Sequence, residues 1–276
     1  MGKRFFGLIL GVSLLCISGA VQASTILYVH DVLNGDDSIA TVLTGDGHSV
    51  TSLTGGYDST TAINTDLIGD LSIYDSIFWN ASGSGSGNIH DAAQFTDLMA
   101  YVIAGGRVFV TGHDAIASPP DYYLVTFLGG TSSTDWGGLR NPGPVTGENS
   151  LSTGVFDIQG ILPLGAIWND WDTLYGLGSE TVCVAASSVP GGCQWSIRTV
   201  GEGEIAFISA GAPDRGTESA WSNEATTGVG AYNAALRNFA YVAPAAKDEV
   251  TLPEPAPMAL LGLGLMGLGL ARKRRR

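Results

Sequence analysis

Residues 74–112 read YDSIFWNASGSGSGNIHDAAQFTDLMAYVIAGGRVFVTG, and this stretch decides the fold. It opens with a short apolar run at 74–79 that ends in polar residues, which is typical of a buried strand. After a Gly- and Ser-rich loop, apolar residues recur at helical spacing over 90–104, and two glycines then end the helix. A second apolar run at 107–111 predicts another strand. A strand, a helix and a strand in this order favour a parallel unit with a right-handed crossover.

The same alternation continues on both sides of this stretch. It favours an α/β domain over 24–242, with a doubly wound, mostly parallel, flavodoxin-like sheet in the order 2-1-3-4-5. The predicted strands are 25–30, 48–53, 74–79, 107–111 and 204–209, and the predicted helices are 36–44, 61–69, 90–104, 122–128 and 231–242.

The alternation stops over residues 131–203, which are rich in Gly and Trp and lack helical periodicity. We expect an insertion of short strands and loops there. Cys183 and Cys193 lie in it, separated by a segment with a strong turn signal, so they predict a disulfide that closes a hairpin in an oxidising compartment. A catalytic thiol is the rival interpretation of these cysteines. The tryptophans of the insertion could stack on sugars, although core packing is their more common use; they are Trp136, Trp168, Trp171 and Trp195.

Composition limits the classes of function. The chain has 276 residues, 45% of them hydrophobic and only 14% charged, with a net charge of −13. This apolar content excludes a disordered acidic protein, and the negative charge argues against a nucleic-acid partner. Between residues 24 and 252 there are six basic and 25 acidic residues, so this segment has a net charge of −19.

The N-terminus has the pattern of a signal peptide. Lys3 and Arg4 precede an apolar run over 5–17, and Val21 and Ala23 place small residues at the positions that signal peptidase requires. We predict a signal peptide over 1–23, removed by signal peptidase after Ala23. An uncleaved anchor is the alternative, but the run is short for a bilayer. A lipoprotein site at Cys16 lacks the small residues that normally precede it.

The C-terminus combines three features in a fixed order. Pro253, Glu254 and Pro255 are followed by an apolar run over 258–271 and then by five basic residues, Arg272, Lys273, Arg274, Arg275 and Arg276. This segment, 253–276, resembles the PEP-CTERM sorting signal of Gram-negative bacteria, and residues 243–252 read as a linker to it. The run would form a helix of about 21 Å, short of a bilayer core of about 30 Å. An ordinary tail anchor is the alternative.

The PEP-CTERM resemblance implies partners and a route. Proteins with this signal are substrates of an exosortase, so it implies export from the cytoplasm and a transient anchor in the inner membrane through a transmembrane helix. The basic tail would stay on the cytoplasmic side. The final location would be the cell surface or the extracellular space, where polysaccharide is a candidate partner.

The central domain resembles a second group. The order of its elements, with the phrases at 74–79 and 104–110, resembles the class I glutamine-amidotransferase-like proteins, which include the trehalose-utilisation-like proteins. In the enzymes of that group a Cys nucleophile occupies the turn after a central strand. Here the turn over 110–114 reads Val-Thr-Gly-His-Asp and has no Cys. We therefore do not carry over the amidotransferase mechanism, and we lean toward a protein that is not an enzyme.

Polar residues follow the strands at their carboxyl ends, where open α/β sheets bind ligands. His30 and Asp31 follow the first strand, Asn80 the third, and His113 and Asp114 the fourth. Across the predicted order, the first and fourth strands are separated by roughly 10 Å, so these side chains could just converge. We predict that these five residues form a candidate ligand or metal site. His113 is the principal candidate among them, because it lies in the turn that follows the fourth strand.

Three interpretations of these five residues stay open. His nitrogens and Asp oxygens suit a divalent metal, although their spacing matches no recognised signature. A His oriented by an Asp also suits acid–base catalysis. Alternatively, the Asp residues cap helices and the His residues fill loop positions. We predict no cofactor, and a divalent metal is the one exception that the residues permit.

Three functions are consistent with the sequence. The first is an exported cell-envelope or extracellular-matrix protein without catalysis. The second is a carbohydrate- or metal-binding module that uses the strand ends and the Trp-rich insertion. The third is a hydrolase with an altered amidotransferase-like site.

Overall fold

The computed structural model describes residues 23–30, 38–53, 62–81, 88–112, 115–116, 122–134, 142–163, 172–209 and 230–241. Its strands are β1 Thr25–His30, β2 Ser49–Leu53, β3 Ala62–Ile63, β4 Ser76–Asn80, β5 Asn88–Ile89, β6 Arg107–Gly112, β7 Ser132–Thr134, β8 Thr173–Tyr175, β9 Thr181–Ala186, β10 Cys193–Val200 and β11 Gly203–Ser209. Its helices are α1 Ser38–Gly45, α2 Thr65–Ile68, α3 Ala92–Ile103, α4 Tyr122–Phe127 and α5 Ala231–Tyr241, with one 3-10 turn at Leu71–Ile73.

A nine-stranded mixed sheet, with four parallel and four antiparallel strand pairs, forms the centre of the domain. Its parallel part has the order β2-β1-β4-β6-β11, so the predicted order 2-1-3-4-5 is confirmed there. Every residue of β4 and β6 is buried, because helices cover both faces of the sheet. Strands that are buried on both faces must be apolar along most of their length, and this explains the apolar runs in the sequence.

Two apolar cores lie on opposite faces of the sheet. On one face, α1 and α5 pack over side chains that include Tyr28, Phe78 and Phe109. On the other face, α3 and α4 pack over side chains that include Trp79 and Val110. Alternate residues of one strand therefore serve different cores.

The region predicted as an insertion continues the same sheet. β10 pairs antiparallel with β11, β9 and β8 both pair with β10, and β7 pairs with β8. A two-residue turn joins β10 to β11, and Gly201 in it has a φ of +60°, a left-handed conformation that glycine adopts at little cost. β10 thereby uses the hydrogen-bonding groups on the edge of β11 that β6 leaves open.

One predicted helix differs from the structure. The sequence predicts a helix over 61–69, but residues 62–63 form β3, which pairs with β5, and α2 begins only at Thr65. The side chain of Asn64 accepts a hydrogen bond from the backbone N–H of Asp66 and so caps α2 at this point. The capping residue Asn64 therefore sets the start of α2, which the apolar pattern of the sequence did not reveal.

The predicted transmembrane run over 258–271 lies outside the described residues. Among the helices that the structure describes, none has the length and hydropathy needed to cross a membrane.

The predicted disulfide joins β9 to β10. Cys183 and Cys193 are bonded, with their Cα atoms 5.7 Å apart. Cys193 is buried, and its strand neighbour Trp195 lies in the core against Tyr232 of α5, with ring centroids 5.0 Å apart. The bond therefore fixes a hairpin whose inner strand contributes to the main core.

Replacing Cys183 and Cys193 together by serine should lower the free energy of unfolding by roughly 2–3 kcal/mol, because the bond closes a short loop in the unfolded chain. Urea unfolding followed by circular dichroism measures this change. The wild-type protein under reducing conditions should match the double variant. Equal urea midpoints with and without reductant would show that the bond contributes nothing to stability.

Candidate functional site

The carboxyl ends of three neighbouring strands place polar residues in one row. His30 pairs in register with Asn80, and Asn80 pairs in register with Thr111. His30 is 4% exposed, Asn80 is 5% exposed and Thr111 is fully buried. The structure therefore brings the predicted His30 and Asn80 side by side, but as buried groups at the end of the core.

The polar groups of this row bond within the protein. The Asn80 side-chain amide donates to the hydroxyl of Tyr28 at 3.3 Å, and the rings of Tyr28 and His30 stack with centroids 5.2 Å apart. The hydroxyl of Thr111 donates to the carbonyl of Ile208 on the next strand at 2.8 Å. Buried polar groups need hydrogen-bond partners. These contacts therefore explain how Asn80 and Thr111 can be buried at this edge of the core.

The other predicted members of the site, Asp31, His113 and Asp114, lie outside the described residues, as does most of the turn that follows β6. Within the described ranges, no three His, Cys, Asp or Glu side chains lie close enough together to hold a metal ion. The shared ligand or metal site at this edge stays a prediction.

A buried carboxylate that the sequence analysis missed also lies beyond β6. Asp172, which directly precedes β8, accepts a hydrogen bond from the backbone N–H of Ile116 at 2.9 Å and is 1% exposed. It links the region 131–203 to the segment that follows β6. Its position was not predictable, because the two segments are 56 residues apart in sequence and no motif joins them.

A cavity of about 650 Å³ opens at the opposite, amino-terminal edge of the sheet. It lies between α2, the 3-10 turn and the C-terminal half of α3, and reaches the residues just before β4 and β6. Its volume falls in the range of small-molecule sites. Its lining residues form no sequence motif, and the sequence predicted a site only at the carboxyl edge.

Two tyrosines, Tyr74 and Tyr101, line this amino-edge cavity. The hydroxyl of Tyr101 on α3 donates to the backbone carbonyl of Tyr74 at 3.2 Å, and burial raises the pKa of this hydroxyl, so it stays protonated. The Tyr101 ring lies against Gly106, where an added Cβ would come within 2.4 Å of the ring. The glycine before β6 is therefore required to seat the ring.

Four carboxylates also line the cavity, namely Asp66, Asp70, Asp75 and Asp97. None of them forms an ion pair with a residue in the described ranges. Hydrogen bonds from the hydroxyl and backbone N–H of Ser72 lower the pKa of Asp70. The cavity thus combines aromatic surface with hydrogen-bond acceptors and negative charge.

The tryptophans of the 131–203 region divide into two groups. Trp195 is fully buried against Tyr232, so it cannot stack on a sugar ring in solution. Trp136, Trp168 and Trp171 lie outside the described residues.

Comparison with solved structures finds likenesses at low identity and with TM-scores below 0.5. A ThuA-like protein from Parabacteroides merdae is 12% identical, with 84% of this chain and 94% of that chain covered and a TM-score of 0.46. A GMP synthase-like protein from Thermoplasma acidophilum is 13% identical over 79% of this chain and 94% of that chain, with a TM-score of 0.40. A cold-adapted β-galactosidase from Rahnella is 14% identical over 68% of this chain, which spans only 28% of that enzyme, with a TM-score of 0.40.

No curated protein matches the chain. Its C-terminus, however, matches a family model: residues 251–276 match the PEP-CTERM protein-sorting motif. The chain therefore carries a PEP-CTERM sorting motif, which implies an exported protein that an exosortase processes and sorts to the cell surface.

Proposed function

We propose that this protein is a non-catalytic component of the cell envelope or extracellular matrix, made as a precursor with processed ends. In this proposal residues 1–23 are a signal peptide, 24–242 form one domain, 243–252 are a linker and 253–276 are the sorting signal. The observation that carries the proposal is the match of residues 251–276 to the PEP-CTERM motif. The disulfide between Cys183 and Cys193 supports it, since such bonds persist in oxidising compartments outside the cytoplasm.

The carboxyl edge favours a scaffold over an enzyme. A general acid or base must reach substrate, yet His30 is buried and stacked on Tyr28, and Asn80 is bonded to the same tyrosine. The turn after β6 also lacks the Cys nucleophile of the amidotransferases. Both observations count against a hydrolase with an altered amidotransferase-like site.

Replacing Pro253, Glu254 and Pro255 by alanine should block removal of the tail, because the motif no longer presents the segment that the sorting enzyme recognises. In a bacterium with an exosortase, the variant should remain in the inner membrane with residues 253–276 attached. Mass spectrometry of fractionated cells measures both the position and the length of the chain.

The matched control for this variant is Lys247→Ala, which changes the linker and should leave processing intact. Wild-type protein that keeps its tail in the same host would contradict the proposed route. So would normal processing of the triple-alanine variant.

A second candidate function is saccharide binding at the amino-edge cavity. Sugar rings present apolar C–H faces that pack on aromatic rings, and hydroxyls that donate hydrogen bonds to carboxylates. The cavity offers both surfaces, through Tyr101 and through Asp66 and Asp97 on the helices beside it. This cavity is a candidate separate from the carboxyl edge and the Trp-rich region, where the sequence predicts carbohydrate binding. An extracellular polysaccharide is the ligand class that fits the proposed location.

Filling the cavity tests this second function. Ala100 is exposed on α3 and lines the cavity, so Ala100→Trp should occupy its space and weaken oligosaccharide binding at least about tenfold. Ala93→Trp, at another exposed position of α3 that does not line the cavity, is the matched control and should bind normally. A glycan array followed by calorimetry on the strongest hit measures both variants. Equal binding by the two variants, or no glycan bound by the wild type, would reject this site.

A further inference from the structure

Both ends of the described domain meet at the amino edge of the sheet. Ser24 directly precedes β1, and Tyr241 is the last residue of α5. The hydroxyl of Ser24 donates to the carbonyl of Ala240, in the last turn of α5, at 3.2 Å. The first residue after the predicted signal peptide therefore contacts the last helix before the linker to the sorting signal.

His48, which directly precedes β2, lies between these two ends. The backbone N–H of Ser24 donates to Nδ1 of His48 at 3.1 Å, and both residues are buried. The ring of His48 lies against the ring of Tyr241, with centroids 4.6 Å apart. We call Ser24, His48 and Tyr241 the terminal cluster.

The terminal cluster is held to the rest of the domain by a charged residue on each side. The hydroxyl of Tyr241 donates to the carbonyl of Asp46 at 2.9 Å, and Arg237 of α5 forms an ion pair with the Asp46 carboxylate at 2.6 Å. On the β1 side, the backbone N–H of Thr25 donates to the carboxylate of Asp75 at 2.8 Å. The cluster thus joins the starts of β1, β2 and β4 to the end of α5.

We propose that removal of the signal peptide turns the Ser24 nitrogen into an ammonium that docks on His48 and on the carboxyl end of α5. This inference rests on the proposed export route, because it takes Ala23–Ser24 as the cleaved bond. Signal-peptide removal then has a structural role, since it adds a positive charge to the contact between the two ends of the domain.

The site suits a cation better than it suits the amide that the precursor supplies. An amide has one N–H to donate, whereas an ammonium has three. The last carbonyls of a helix lack partners within the helix and form the negative end of its dipole, where a cation is stabilising. Ser24 already contacts Ala240 in that last turn, so the new charge would form beside these carbonyls.

The fold also sets the order of events. Proteases cleave accessible, flexible backbone. In the folded domain the carbonyl of Ser24 accepts from the N–H of Ser49 at 3.0 Å, and the N–H of Thr25 is bonded to Asp75. The residues that follow the cleaved bond are thus held in the sheet, so we expect signal peptidase to cleave the unfolded chain faster than the folded one.

The protonation states limit the docked form to a window of pH. His48 accepts through Nδ1, so it must be neutral there, and burial lowers its pKa although Asp46 acts to raise it. A lowered His pKa means that stability is lost as the pH falls below about 6.5, the value in the unfolded chain. The Ser24 ammonium acts in the opposite direction. Its contribution is present below about 7.7–8.0, and is lost as the pH rises and the amine loses its proton.

The test compares the exported chain that begins at Ser24 with a chain that has two asparagines inserted between Ala23 and Ser24, which creates no second cleavage site before Ser24. The insertion keeps the cleavage site but moves the amine away from His48. At pH 7.5 the chain that begins at Ser24 should have a Tm about 2–4 °C higher than the chain with the insertion. This is the shift that an about fivefold change in the folding equilibrium produces in a domain of this size. The difference should vanish at pH 10, where the amine is neutral. Equal Tm values at pH 7.5, or a difference that persists at pH 10, would overturn the proposal.

Two variants separate the amine contact from simple packing. His48→Gln keeps an acceptor, and the Tm difference should remain, whereas His48→Leu removes the acceptor and should abolish the difference.

Trace acylation is a second measurement in case His48→Leu does not fold. The chain from Ser24 onward has three amines, those of Ser24, Lys247 and Lys273. At pH 7.5 the Ser24 amine should react about tenfold more slowly than the displaced amine of the chain with the insertion. Only the unprotonated amine reacts, and a rise of one unit in its pKa lowers the unprotonated fraction by about this factor. Equal reactivity would contradict docking.

N-terminal sequencing of the exported protein distinguishes the two levels of the argument. A start at another residue would contradict the proposed processing together with the docking. A start at Ser24 without a stability difference would contradict the docking alone.

Discussion

Burial of the parallel strands on both faces is the constraint on which the rest of the structure depends. β4 and β6 have no exposed residue, and β1 is buried along all but its first position. Polar side chains can therefore be placed only at the ends of these strands. At the carboxyl end Asn80 and Thr111 form hydrogen bonds within the protein, and His30 stacks on Tyr28. At the amino end the buried Arg107 pairs with Glu204 at 3.0 Å and places its guanidinium 3.8 Å from the centroid of the Phe239 ring.

The two edges of the sheet also differ in the polar groups and openings that they carry. At the carboxyl edge, the described side chains His30, Asn80 and Thr111 are buried and contact neighbouring protein groups. The amino edge has the open cavity beside Tyr101 and also the contact between Ser24 and α5. Open α/β sheets usually bind ligands at the carboxyl edge, whereas this cavity opens at the amino edge.

The apolar runs predicted the parallel part of the sheet because a strand covered on both faces has a simple local signature. The sequence also predicted the hairpin of Cys183 and Cys193, since the intervening turn is local. It did not predict that β10 would pair with β11 and extend the sheet, because the alternation of β10 fits either a separate layer or an added strand. The cavity was missed for a similar reason. Gly106 and Tyr101 belong to one helix and the turn that follows it, but the Asp residues around them come together only in the folded chain.

The central claim is that one sheet, from β2 to β7, holds the parallel core and the region 131–203 in a single cooperative unit. Native-state hydrogen exchange tests this most directly. We expect the amides of β10 that bond to β11 to exchange only through global unfolding, with the same free energy and the same dependence on denaturant as the amides of β4 and β6. Exchange of the β10 amides through a separate opening of lower free energy, while β4 and β6 stay protected, would contradict the account.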